Sequence, residues 1–124
     1  MKVNRLLINQ VTEKLAESAQ FYTHYFDFQV DFESDWFIHL ISKGEQLEIG
    51  LIHPDSEVVP NAVEKAPGGH YLTLVVDDVD DLFLRLNSDG VKVLQEPHDT
   101  FYGQRRLLIE EVNGVIIDVS SPIQ

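Results

Sequence analysis

Few side chains in this 124-residue sequence could do chemistry, and they are scattered along its whole length. His39 carries a ring whose free pKa lies near neutrality, which makes it eligible as a general base; its plainer role is a hydrogen-bonded histidine in a sheet. Trp36 stands three residues earlier, and on a strand that spacing sends the two side chains to opposite faces. At most one of them then fully faces a cavity, and Trp36 is either a cavity wall or part of the core. Arg105 follows a loop expected to be mobile over residues 97–103. Its planar fork suits a substrate carboxylate or carbonyl, and equally a salt bridge to one of the chain's many acids. Tyr102, inside that loop, is placed to close over whatever binds. His24, His53 and His98 fall on a helix surface and in loops and are not candidates. Asp77, Asp78, Asp80 and Asp81 gather at a helix start, where the dipole favours negative charge without any catalytic role. Ser120 and Ser121 close a strand with no histidine set beside them, and no glycine-rich phosphate loop occurs. Any chemistry must therefore come from a metal or from acid–base groups in a cavity.

These residues are positioned by what reads as one unit stated twice: a strand, an amphipathic helix, then a run of strands. Module one covers residues 3–53, a linker 54–68, and module two 69–121. In the first module residues 3–11 read as a strand. Thr12 is placed to cap the helix, Glu13 suits its first turn, and Leu15, Ala19, Tyr22 and Phe26 recur at helical spacing. Strands follow at 28–32, 36–42 and 46–53, the last two joined by a turn at Lys43-Gly44-Glu45. The linker stretch is rich in proline and glycine and lacks periodicity. In the second module 70–76 is a strand. Val79, Leu82, Phe83 and Leu86 form a helix face closed by Asp89-Gly90, where glycine suits the left-handed cap. Residues 91–94, 105–110 and 115–120 supply further strands, with Asn113-Gly114 as a hairpin turn. Two such modules packed together create a concave surface between them, and that cleft is the expected site.

Composition narrows the partners. One domain of this length buries a real core, and 44% hydrophobic residues argue against disorder. A formal charge of −12, from 21 acids against nine lysines and arginines, leaves no basic face for nucleic acid. That charge reads first as serving solubility, with a field that attracts cationic ligands as the alternative. The absence of cysteine removes disulfides and thiolate chemistry and fits a reducing compartment. No stretch approaches the roughly 18 apolar residues of a membrane span, and the first residues lack a signal peptide's apolar run. The expectation is a cytoplasmic protein that touches neither membrane nor nucleic acid.

Residues 72–80, the helix ending and strand at 88–93, the loop Tyr102-Gly103-Gln104-Arg105-Arg106 and the turn and strand at 113–118 resemble the second half of a vicinal oxygen chelate domain. Phe21-Tyr22 and Tyr25-Phe26-Asp27-Phe28 are similar to that superfamily's first helix, so the resemblance covers nearly the whole chain. The superfamily contains glyoxalase I, extradiol dioxygenases, fosfomycin-modifying enzymes and bleomycin-resistance proteins. It implies a single α+β domain over 1–124, in which two βαβββ modules pair into a curled, mostly antiparallel sheet around a cavity. It also implies a homodimer, because curled sheets of this kind commonly complete their cavities between subunits.

In metal-dependent members, His, Gln or Glu side chains converge on one divalent ion that polarises substrate oxygens. Carried onto this sequence, the first-strand ligand position falls on Leu7, which cannot ligate. The matching position in module two falls on Tyr71, with His70 one residue out of phase. Glu48 and Asp118 fit the remaining two. Such a set is poor for zinc, nickel or iron, which want nitrogen donors and three or four convergent groups. The leading reading is therefore a metal-free cavity protein, without cofactor, that binds a small organic molecule of polar or cationic character through Trp36, His39, Glu48, Tyr71, Tyr102, Arg105 and Asp118. A metal-dependent lyase, isomerase or dioxygenase using Glu48, Asp118 and His70 is the alternative, and an accessory dimer with a vestigial cavity the third.

Overall fold

The computed structural model describes residues 2–44, 46–63 and 70–123. Glu45 of the expected turn and residues 64–69 of the expected linker lie outside the described residues. The chain divides into two compact units, Met1–Pro67 and Gly68–Gln124. The first contains β1 (Ile8–Val11), α1 (Leu15–Phe26), β2 (Phe28–Glu33), β3 (Phe37–Ser42) and β4 (Glu48–Ile52). The second contains β5 (Leu72–Val75), α2 (Val79–Ser88), β6 (Lys92–Asp99), β7 (Gln104–Glu110) and β8 (Ile116–Pro122). Each unit is a four-stranded sheet, ordered β1-β4-β3-β2 and β5-β8-β7-β6, in which one pairing is parallel and two antiparallel. This is the expected α+β arrangement of two βαβββ modules. No helix among the described residues is long and apolar enough to cross a membrane.

In the first unit the strand period of two sorts the sheet into faces. Ile8 and Gln10 pair with Ile49 and Leu51, which pair with Leu40 and Ile38. This is the face toward α1, because Gln10 Nε2 donates to the Tyr22 hydroxyl at 3.0 Å and the Tyr22 ring meets Phe28 edge-on. Leu40, Leu51 and Tyr22 are fully buried there, and each such aliphatic side chain stabilises the unit by about 1.5–3 kcal/mol. The opposite face carries Asn9 and Val11 on β1, Glu48, Gly50 and Ile52 on β4, and Phe37, His39 and Ile41 on β3, in the same register. In the second unit Val79, Leu82 and Leu86 of α2 are buried, as are Ile117, Val119, Leu107 and Ile109 of the sheet.

Several sequence expectations shift. β1 begins at Ile8 and residues 2–7 carry no regular structure; the parallel ladder with β4 starts at the pair Ile8 and Ile49. Thr12 does not cap α1: its hydroxyl accepts from Lys14 N, two residues on, and the cap position falls on Lys14. The buried stripe of α1 centres on Ser18, Ala19, Phe21 and Tyr22, leaving Leu15 and Phe26 half-buried. In contrast, Asp78 caps α2 in the usual way by accepting from Asp81 N, and Gly90 follows with φ at 76°. The loop expected over 97–103 is strand over its first three residues and turn thereafter. β6 runs to Asp99 through Pro97, which a sheet-edge strand tolerates where the register shifts between Gln95 and His98.

Candidate functional site

On the sheet face away from α1, four ionisable side chains form a continuous chain. Arg5 grips Glu48 with two prongs: Nε donates to Oε2 at 2.6 Å and Nη2 to Oε1. Glu48 Oε1 also meets His39 Nε2 at 2.6 Å, and His39 Nδ1 meets Asp31 Oδ2 at 3.0 Å. Register explains the meeting. Glu48 lies opposite Ile41 on β3, His39 is two residues before Ile41 on the same face, and Asp31 sits at the bulge where β2 slips against β3. Both ring nitrogens of His39 face carboxylate oxygens, whereas a neutral imidazole has one N–H to give. The Arg5 hydrogen bond, aided by that of His39, holds the Glu48 carboxyl down at about 2 against burial, which pushes the other way. Arg5 is raised in turn, mainly by its hydrogen bond to Glu48. Glu48 and His39 are thus brought together as sequence candidates, while Arg5 and Asp31 were invisible as members of the group.

Beside this chain lies a pocket of about 450 Å³, built entirely within the first unit. Its floor is Leu7, Asn9 and Val11 with Ile52 and Phe37; Trp36 and the segment with Val58, Val59, Pro60 and Val63 complete the wall. That last segment was expected to be linker. Trp36 precedes β3, so the alternation that would set it opposite His39 does not govern it; it lies 5.6 Å from the Phe37 ring on the face His39 also occupies. Gly50 matters here because of close approach. A Cβ at that position would lie 2.2 Å from Asn9 Oδ1 and 3.0 Å from Phe37 Cε1. Its hydrogen therefore makes room for the Asn9 carboxamide and the Phe37 ring to lie against the sheet.

In the second unit the candidates do not gather into one group. Asp118 is buried, accepting from Ser120 Oγ at 2.6 Å and Thr73 Oγ1 at 3.2 Å, with Arg106 Nε 3.3 Å away. Arg105 is held by acids of its own unit: Nε and Nη2 fork onto Asp80 at 2.8 and 3.1 Å, and Nη1 donates to Asp99 at 3.0 Å. These bonds raise Arg105 and depress Asp80, so the salt-bridge role is the one its geometry satisfies. Tyr71 precedes β5 and Tyr102 tips the turn after β6, both more than half exposed, with Tyr102 edge-on to Phe101. His70 likewise precedes β5 and is exposed.

The internal repeat shows that the two carboxylates are not counterparts. Ser18 and Tyr22 of α1 match Leu82 and Leu86 of α2, and the link from Thr12 N to Ile52 O matches that from Val76 N to Ser120 O. The same step carries the pair Asn9 and Gly50 onto Thr73 and Asp118. Asp118 therefore stands where module one has Gly50, and Glu48 where module two has Ile116. Against the divalent ion that the superfamily resemblance implies, the donors fit badly. Leu7 is apolar wall, both Glu48 oxygens are engaged by Arg5 or His39, and Asp118 is satisfied by two hydroxyls. Among the described residues no group of three or more His, Asp or Glu side chains is arranged to hold a metal.

No curated protein matches this sequence. Solved structures match along nearly all of it. A conserved domain protein is 24% identical with a TM-score of 0.77, over 98% of this chain and 99% of its own. A virulence protein from Salmonella typhimurium is 18% identical with a TM-score of 0.78, over 99% and 100%. A glyoxalase/bleomycin resistance protein/dioxygenase superfamily member from Sphaerobacter thermophilus is 19% identical with a TM-score of 0.76, over 97% and 98%. At these identities the likeness is one of fold. The family model described as Glyoxalase/Bleomycin resistance protein/Dioxygenase superfamily matches residues 3–119, and with the repeated βαβββ modules this places the chain in that superfamily, to which it belongs.

Proposed function

We propose that the protein binds a small organic molecule in the module-one pocket and does so without a tightly bound metal. The observation that carries this reading is the pocket itself. Its volume of about 450 Å³ falls in the range of small-molecule sites, and its wall is apolar and aromatic as such sites are. Superfamily membership supports small-molecule binding and leaves the chemistry open, since one fold hosts several activities. The metal-free part rests on donor chemistry: the carboxylate at the family-like position, Glu48, is neutralised by Arg5 and not left for an ion. The working form is a homodimer. Its support is the exposed Val30 and Phe32 on β2 and Leu94 on β6, both of which are edge strands of their sheets.

Trp36 is the single tryptophan and lines the pocket, so its indole N–H resonance reports occupancy directly. Titration with 2-methylnaphthalene, an apolar probe, should move that one resonance saturably. No movement at saturating probe would count against the pocket as a binding site. Elemental analysis of protein purified without chelator should find zinc, nickel, iron and manganese far below one per chain. Near-stoichiometric metal that disappears in Asp118→Ala would instead support a metal-dependent lyase, isomerase or dioxygenase.

A further inference from the structure

Resting on the reading of the module-one pocket as the binding site, we infer that Asn9 sets its specificity and that the ligand is a neutral, flat, largely apolar molecule with one hydrogen-bonding group. Among the described residues the wall contains one polar side chain besides the Trp36 indole, Asn9, and no acid or base. Asn9 and Gln10 are adjacent amides with opposite fates. Gln10 points toward α1 and donates to Tyr22, whereas the Asn9 carboxamide points to the pocket face and makes no hydrogen bond among the described residues. Gly50 lies beneath it, with Asn9 Oδ1 where a Cβ would stand. The carboxamide is thereby seated low on the pocket floor.

A carboxamide both donates and accepts, so it matches a hydroxyl, an amide or a carbonyl. It offers no counter-charge. The ionisable groups on this face, Arg5, Glu48, His39 and Asp31, already satisfy one another, and an ionic ligand would leave water without gaining a partner. The chain's net charge of −12 therefore does not make this site a cation receptor, because none of the acids among the described residues stands in the wall. The Trp36 and Phe37 rings, tilted by 36° with centroids 5.6 Å apart, present aromatic surface to a flat ligand.

The test uses the full chain and three probes of one shape, 2-naphthol, 2-methylnaphthalene and 2-naphthoate, each titrated against the Trp36 indole resonance. 2-Naphthol should bind about three- to tenfold tighter than 2-methylnaphthalene, the worth of one net hydrogen bond, and 2-naphthoate should bind weakest. Asn9→Leu should erase the advantage of 2-naphthol, read as the ratio of its dissociation constant to that of 2-methylnaphthalene in the same variant, as expected when one polar contact is removed. Equal binding of 2-naphthol and 2-methylnaphthalene to the wild type, tightest binding of 2-naphthoate, or an undiminished preference in a folded Asn9→Leu would each overturn the role of Asn9 and leave the pocket standing. Absence of binding by all three would overturn the pocket and this inference together. If Asn9→Leu does not fold, the ranking of the three probes on the wild type still decides.

Discussion

Arg5 and Glu48 form a two-pronged ion pair, and that pairing decides what Glu48 can do. Its carboxyl titrates at about 2 in place of 4.5, so at neutral pH it is a fixed anion and no proton donor. A carboxyl depressed on folding contributes stability above its unfolded pKa and loses that contribution as pH falls through its folded one. The contribution of Glu48 is thus complete above about 4.5 and gone below about 2. Because Arg5 is largely exposed, solvent screens the pair and the effect on stability is modest. Arg5→Met should raise the Glu48 titration midpoint, read by carboxyl carbon NMR, toward the ordinary range. It should also flatten the loss of melting temperature between pH 4.5 and 2. A midpoint that stays near 2 would show that His39 alone holds the anion. His39 was visible by its residue type, and Glu48 because it fits a ligand position that the superfamily resemblance implies. Arg5 was read merely as part of a strand, and Asn9 drew no notice, since an arginine near a terminus and an asparagine on a strand are common and mean nothing until their neighbours are known.

Helix starts show how far local rules carry. α2 obeys them: Asp78 caps, Asp80 and Asp81 sit in the first turn, and Gly90 supplies the left-handed residue after the last turn. α1 does not, for its cap position is Lys14 and no side chain closes it. Asp78→Ala should lower stability by about 0.5–2 kcal/mol, measured by denaturant unfolding, while Lys14→Ala should cost nothing through capping. Equal losses would mean that neither start depends on its cap. Strand ends were less legible than helix ends. Whether Trp36, Tyr71 or Pro97 belongs to a strand is settled by a partner on another strand: Phe37 has Ile52, Leu72 has Ile117, and His98 beyond Pro97 has Arg106.

For the whole molecule the expectation is self-association. β2 and β6 end their sheets and expose Val30, Phe32 and Leu94, and edges of this kind invite pairing unless covered. Light scattering at tens of micromolar, the order of magnitude that detects a weak dimer, should give the mass of two chains. Phe32→Glu should shift it toward one, and a wild-type mass of one chain would remove the dimer from the proposal. The repeat itself was readable from sequence, because periods of 3.6 and 2 record which face of each element is buried and appear twice in the same order. Superfamily membership rests on the family model that matches residues 3–119. What tertiary structure alone decided was the site. The superfamily resemblance put Glu48 and Asp118 at ligand positions of the fourth and last strands, and the ladders set them two residues apart in the repeat. Sequence left Arg105 either a substrate carboxylate or carbonyl or a salt bridge to an acid, and Asp80 and Asp99 supply the salt bridge. It read as linker the segment that walls the pocket. Periodicity is local and registers itself in every turn of the chain, whereas a site is made of residues brought together by strand register, and register depends on pairings that no stretch of sequence contains.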